Sequence, residues 1–257
     1  MGKRFKTIPE VIRLSLQQVH QRFIEEGQSD PSITSVDSSL MHAHGNVWHS
    51  KQMKAGELPS CGNELGRRLP SNIDSEAHWG VSGAGEWVFG YRLHTVMSCG
   101  PYGLDLPYDA QVEPANLKDA EVFKTVFAPN LPKAVELILA DTGYDDQGCY
   151  EASDAQHVSL LAPIKVKKNT PPQRRERAEL FHAPEAREVY CLRKTTVEPY
   201  QGQLKELFEL EHLPVKGLAN VRALAMLATL AYLFLVRLNL LLERPPLQLK
   251  ATLYALR

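Results

Sequence analysis

The chain has 257 residues, 44% hydrophobic and 23% charged, so it can bury a core without disulfide or metal staples. Its net charge of −1 gives no overall bias toward a polyanion. Its four cysteines (Cys61, Cys99, Cys149, Cys191) lie far apart, which argues against a Cys-x-x-Cys zinc ribbon or a dense disulfide framework. A reducing cytoplasm is the expected compartment. The basic start, Met1 to Lys6, leads into an amphipathic segment and not into the apolar stretch of a signal peptide.

Taken in chain order, Ile8, Val11, Ile12, Val19 and Phe23 recur at helical spacing, which predicts a helix over 8–26 with Pro9 in its first turn. Ile33 to Val36 reads as the first strand and delivers Asp37. Residues 41–86 read as an extended loop with short pieces of structure. Trp87 to Met97 is a strand, and Leu104 to Val112 returns as its antiparallel partner after a Gly-Pro turn. A short helix over 120–128 precedes the strand Leu137 to Ala140, which delivers Asp141. His157 to Pro163 is a further buried strand, and Lys165 to Arg177 reads as a basic mobile loop. Two helices close the chain, near 197–210 and over 218–242, the second stopped by Pro245-Pro246. Ala223 to Val236 carries no charge, but a membrane span needs about 20 apolar residues, so this is expected to be a buried core helix. Strands first, then alternating strands and helices, predict an α/β fold: a ribonuclease H-like mixed five-stranded sheet flanked by helices.

Charge is unevenly placed. Ten acidic residues face three basic ones between Asp105 and Glu151, whereas Lys165, Lys167, Lys168, Arg174, Arg175 and Arg177 stand against Glu176 alone. An acidic stretch followed by a basic one suits a metal site beside a phosphate-binding groove, and it also suits an ordinary solvated surface. Asp37 and Asp141 each end a strand, and Glu198, in Thr195-Thr-Val-Glu198, lies in a helical stretch. Three such carboxylates can converge on divalent cations, and Mg²⁺ asks for little more than one or two carboxylates per ion. Taken singly, each is as well explained as a turn former or helix cap.

In these frames the chain resembles the DDE transposases of bacterial insertion sequences. The matching pieces run in family order: Val36-Asp37-Ser38-Ser39; Trp79-Gly-x-Ser82 with Phe89-Gly-Tyr-Arg92-Leu-His94; Pro114-Ala-Asn116-x-x-Asp119; Leu139-Ala-Asp141-Thr-Gly143-Tyr144-Asp145; and Tyr190-x-x-Arg193, Glu198 and Lys205. The resemblance covers about residues 30–240. It implies a catalytic triad of Asp37, Asp141 and Glu198 holding two Mg²⁺ or Mn²⁺ ions, with Asp37 bridging. It also implies DNA as partner, both the element's terminal repeats and the target, and self-association on DNA. Lys205 is implied as a phosphate contact, with Tyr190 and with Arg193 or Lys194. Four residues separate Arg193 from Glu198 where the family usually has three, so either Arg193 or Lys194 fills the arginine role.

The resemblance divides the chain into an N-terminal helix (1–29), read as the remnant of a helical DNA-binding domain, a catalytic domain (30–243) and a tail (244–257). A catalytically silent DNA-binding remnant is the competing reading. The basic residues Lys165, Lys167, Lys168, Arg174 and Arg175 are expected to meet DNA phosphates without reading sequence. Asp145 and Asp146 read as cap and surface residues, Asn116 and Asp119 as organisers of a turn and a helix start, and His94 as a structural histidine. Tyr144 either packs in the core or stacks on a displaced base. His42, His44 and His49 leave room for a zinc hydrolase, although no further paired histidines follow downstream.

Overall fold

The computed structural model describes residues 2–47 and 72–256. Six strands among them form one mixed sheet: β1 (Ile33–His42), β2 (His78–Val81), β3 (Trp87–Ser98), β4 (Leu106–Pro114), β5 (Leu137–Leu139) and β6 (Ser159–Leu161). Almost every residue of β3 is buried, and it is long enough to pair along its whole length. One edge takes β1 antiparallel, from Thr34 opposite Ser98 to His42 opposite Gly90. The other edge is shared by β2 at its start and β4 along the rest. Gly90 is required where β3 meets the end of β1, because a Cβ there would collide with the carbonyl oxygen of Met41. On its far side β1 pairs in parallel with β5, and β5 with β6. This is the expected ribonuclease H-like α/β sheet, with β2 as a short additional edge piece.

Among the described residues seven α-helices flank it: α1 (Gly2–Glu25), α2 (Asp119–Val122), α3 (Gln147–Asp154), α4 (Pro172–His182), α5 (Pro184–Phe208), α6 (Leu218–Leu241) and α7 (Leu249–Ala255). The chain continues from α2 through a π turn over Phe123–Phe127. Several boundaries differ from expectation. The first helix starts at Gly2, with Pro9 inside it, since one missing N–H interrupts a single hydrogen bond and does not forbid the turn before it. The second half of the expected basic loop is helix α4, begun by Pro172 at a position where proline costs no intrahelical bond. Helix α5 starts at Pro184, about 13 residues earlier than its apolar spacing suggested, because its first three turns are polar on most sides.

The sheet separates two cores. On one face Leu16 and Phe23 of α1, Val197, Tyr200 and Leu204 of α5, and Leu233 and Val236 of α6 cover Met41, Leu93, Met97 and Val112. On the other, Val36, Val96, Ile138 and Ala140 meet Phe123, Phe127, Tyr144 and Cys149. Each such side chain contributes roughly 1.5–3 kcal/mol by leaving water. Helix α6 is long and apolar enough to cross a membrane by length and composition alone, and half of its most apolar window is buried within the fold. Helix α1 is tied down by Arg13 and Gln17 on the buried Asp109 and by His20, whose Nε2 lies 3.2 Å from the hydroxyls of both Ser29 and Ser98. Cys99, Cys149 and Cys191 are free thiols.

Candidate active site

Strand register brings the first two carboxylates together. The last parallel pair of β1 and β5 is Ser35 with Leu139. Asp37 lies two residues further on within β1, and Asp141 two residues further on just past the end of β5, so register brings the two to the same end of neighbouring strands. Each carboxylate is oriented by a nearby peptide N–H: Ser38 donates to Asp37 Oδ1 at 2.8 Å, and Gly143 donates to Asp141 Oδ1 at 2.8 Å. The second bond caps a single 3-10 turn over Thr142–Tyr144, which bends the chain away just past Asp141.

Such crowding of negative charge needs a counter-ion, and α5 supplies one. Arg193 is buried, and its Nη2 lies 2.9 Å from Asp37 Oδ2. The same guanidinium lies near the hydroxyl of Tyr190, one turn back on the helix, and lowers its pKa against the effect of burial. Even so, burial pushes the Asp37 carboxyl up to about 6, Arg193 and the Ser38 N–H pull it down, and Asp141 and Asp119 push it up again. Desolvation therefore outweighs the ion pair here. Lys194 is exposed, so the residue in contact with the strand carboxylates is Arg193.

Asp119, at the head of α2, reaches the same place from the other side. Both of its oxygens lie 3.5 Å from Arg92 Nη1, and the Ser38 hydroxyl beside it favours its charged form. His94 Nδ1 is 3.4 Å from Asp119 Oδ1, yet burial lowers the His94 pKa to about 3, with Arg92 adding to the shift. The imidazole is thus neutral and the contact is not an ion pair. His94 has no exposed surface, and neither ring nitrogen makes a hydrogen bond. Asp119 heads its helix but spends its side chain on the sheet. The signals for this were present in the Pro114-Ala-Asn-x-x-Asp119 frame; what sequence could not supply was the direction of the side chain.

The third carboxylate lies apart. On α5 the residues that face the sheet are Arg193, Val197, Tyr200 and Leu204, all buried. The helix's rotation is fixed by Thr196 Oγ1 donating to Asp105 at 3.0 Å and by Tyr200 Oη at 2.9 Å from Thr229 Oγ1 on α6. Glu198 stands five positions past Arg193, which is about 140° around the helix, and it is exposed. Among the described residues, no three His, Cys, Asp or Glu side chains are gathered as a metal-ligand set. Lys205 follows Glu198 by two turns on the same face, half-buried and close enough to His42 to depress its pKa.

The basic segment divides in two. Lys165, Lys167 and Lys168 are exposed. Arg174 instead pairs with Asp145, whose side chain is only 6% exposed, and Arg175 donates to the carbonyls of Lys168 and Thr170. Lys165, Lys167, Asn169, Thr170 and Arg174 line a cleft of about 380 Å³ with Asp145 at its edge. Asp146 caps α3 through the Gly148 N–H, as its reading anticipated. Tyr144 is fully buried, edge-to-face with Phe123, which makes it a core residue. His42 stacks on His212 at 4.8 Å and His44 Nδ1 lies 3.2 Å from the Leu213 carbonyl; His49 falls outside the described residues.

The donor chemistry at Asp37 and Asp141 fits a hard divalent cation. Both are carboxylates, each has one oxygen fixed by a backbone N–H, and the pair carries charge that Arg193 only partly offsets. Comparison with known families gives a match of residues 28–234 to the family described as transposase DDE domain. No curated protein matches the chain.

Proposed function

The chain belongs to the transposase DDE domain family, and we propose that it cuts DNA at the ends of a mobile element and joins the freed 3′-hydroxyl to target DNA. The observation that carries this reading is the placement of Asp37, on β1, beside Asp141, just past the end of the parallel neighbour β5, each oriented by a peptide N–H. Asp37, Asp141 and Glu198 would hold two Mg²⁺ or Mn²⁺ ions. Bound there, such ions make the attacking water or hydroxyl more acidic and stabilise the leaving oxygen.

The protein's own part is positioning and charge. Asp37 and Asp141 are held before substrate arrives, so no reorganisation is needed to present them. Arg193 shields Asp37 in the metal-free protein, and it would turn its guanidinium toward a DNA phosphate or retain Asp37 in place once the site is filled. Lys205 would meet the DNA backbone on the Glu198 face, and Lys165, Lys167 and Lys168 would extend that track as sequence-independent phosphate contacts. Tyr190 would keep Arg193 oriented.

A second reading, a DNA-binding remnant without catalysis, draws on the exposed position of Glu198, which is not gathered with the strand carboxylates into a metal-ligand set among the described residues. One experiment separates the two. Nicking and strand transfer are measured on DNA carrying the element's flanking ends, with Mn²⁺ or Mg²⁺, for wild type and for Asp37→Ala and Asp141→Ala. Catalysis predicts metal-dependent products that fall by at least about 10³-fold in both variants while DNA retention is unchanged. Retention without any metal-dependent product in the wild type would leave the remnant reading standing.

A further inference from the structure

We propose that Asp119 is a positioning residue that sets the orientation of both strand carboxylates through the peptides that hold them. This inference concerns the same site and rests on the proposed function for its consequence in catalysis, though not for its geometry.

Two peptide N–H groups orient the site: Ser38 for Asp37 and Gly143 for Asp141. Asp119 lies beside both of these residues. The Ser38 hydroxyl lies beside its carboxylate and favours its charged form, and Arg92 Nη1 reaches both. At Gly143 a Cβ would lie 2.9 Å from Asp141 Oδ1 and 3.1 Å from Asp119 Oδ2, so both carboxylates border the space that the missing side chain leaves. A side chain at this position would push one of them away. Gly143 is the residue that lets both approach.

The remaining contacts of Asp119 hold it in place. Arg92 Nη1 lies 3.5 Å from each Asp119 oxygen and 3.0 Å from the Ser38 hydroxyl oxygen, and Arg92 Nη2 donates to the Val81 carbonyl at 3.1 Å. Neutral His94 borders Asp119 from within the sheet, with no exposed surface. Asp119 thereby meets β1 beside Ser38 and β3 through Arg92 and His94, and it borders the turn after β5 at Gly143. These are the elements that present Asp37 and Asp141. With its oxygens engaged by Arg92 and Ser38, Asp119 acts on the site through other residues. Groups that orient metal-binding side chains in this way typically contribute 10–100-fold to metal affinity or activity.

The test uses the full chain, ¹⁵N-labelled and free of metal, as wild type, Asp119→Asn, Asp119→Ala and the neighbouring surface variant Glu121→Ala. Asp119→Asn keeps the shape and removes the charge, so it remains informative if Asp119→Ala does not fold. The amide signals of Ser38 and Gly143 report directly on their bonds to Asp37 and Asp141. Both are expected to move upfield in Asp119→Asn, with Glu121→Ala leaving them in place. Mn²⁺ affinity is expected to fall about 10-fold or more in Asp119→Asn. A role confined to stability would lower Tm and leave the two amides where they are in wild type. That result, or an unchanged Mn²⁺ affinity beside a wild type that binds the ion, overturns the proposal. A wild type that cleaves no DNA would remove the proposed function, while the amide comparison still decides the role of Asp119.

Discussion

The two sides of the site are built differently. On the strand side, Asp37 and Asp141 are placed by ladder register and by two peptide N–H groups within two residues of each, with Asp119 beside both. On the helix side, direction depends on how α5 is rotated, and that is decided by Thr196 on Asp105, Tyr200 on Thr229 and a row of buried apolar residues. The rotation delivers Arg193 to Asp37 and leaves Glu198 exposed. A sheet specifies neighbours every two residues, whereas a helix spreads successive residues about 100° apart, so a one-residue change in spacing moves a helical side chain to another face. Here Val197 occupies the buried position next to the one that bears the carboxylate.

The contrast can be broken most severely at Glu198. If it acts from the exposed face, Glu198→Gln will abolish metal-dependent cleavage, by about 10³-fold or more, yet shift unfolding free energy by less than about 0.5 kcal/mol, as surface substitutions do. Cleavage assays and a thermal melt on the same preparation read both. Retained cleavage would remove Glu198 from the catalytic set and leave the strand side working without it.

Arg193 should behave in the opposite way. Truncating it leaves Asp37 with its burial and without its ion pair, so Arg193→Ala is expected to lose about 3 kcal/mol of stability at pH 7. Saturating Mn²⁺ should recover part of that loss, because a cation bound to the folded state offsets the same charge. Denaturant unfolding with and without the ion makes the comparison. An Arg193→Ala protein as stable as wild type would mean that the guanidinium is incidental to the strand side.

The Asp37 carboxyl gives a pH signature of comparable size. Its folded pKa of about 6 lies above the ordinary carboxylate value near 4. Between those values the folded state holds the proton and the unfolded state does not, so stability falls as pH rises through this window, by about 3 kcal/mol in total at this site. Asp37→Asn cannot lose a proton. The stability difference between Asp37→Asn and wild type should therefore shift in favour of the variant by about that amount from pH 4 to pH 7. A difference independent of pH would place the Asp37 carboxyl at its ordinary value.

The smallest effect is expected at the basic segment. Replacing Lys165, Lys167 and Lys168 together by alanine should weaken DNA binding about 10-fold at moderate salt and reduce the slope of log affinity against log salt by about 3, equally for any sequence. Arg174→Ala should instead loosen α4 from Asp145, and a melt would register it before a binding assay does. Loss of sequence preference in the triple lysine variant would contradict a purely electrostatic role.

Sequence alone carried the site a long way. Aliphatic runs ending in Asp37 and Asp141 marked two strands, and period-two pairing of such strands is a local property that tolerates little variation. The same reasoning placed β3 and β4 as an antiparallel pair and α6 as an apolar helix. The early start of α5 was hidden, because polar turns at the beginning of a helix leave no periodic trace. Helix α4 was hidden by its high charge, which reads as loop when burial on Ala178 and pairing of Arg174 and Arg177 with Asp145 and Asp154 are invisible.

The amino-acid order thus determined the fold class, the strands that lead to Asp37 and Asp141, and the family to which the chain belongs, although β1 runs on past Asp37 to His42. Tertiary structure decided which cation meets Asp37, that Arg174 and Arg175 are occupied within the protein, that Tyr144 is core, and that Asp119 looks into the site. The reason is physical. Strand direction and alternation follow from backbone geometry within a few residues, whereas the partner of a long charged side chain depends on desolvation and on groups tens to hundreds of positions away in sequence.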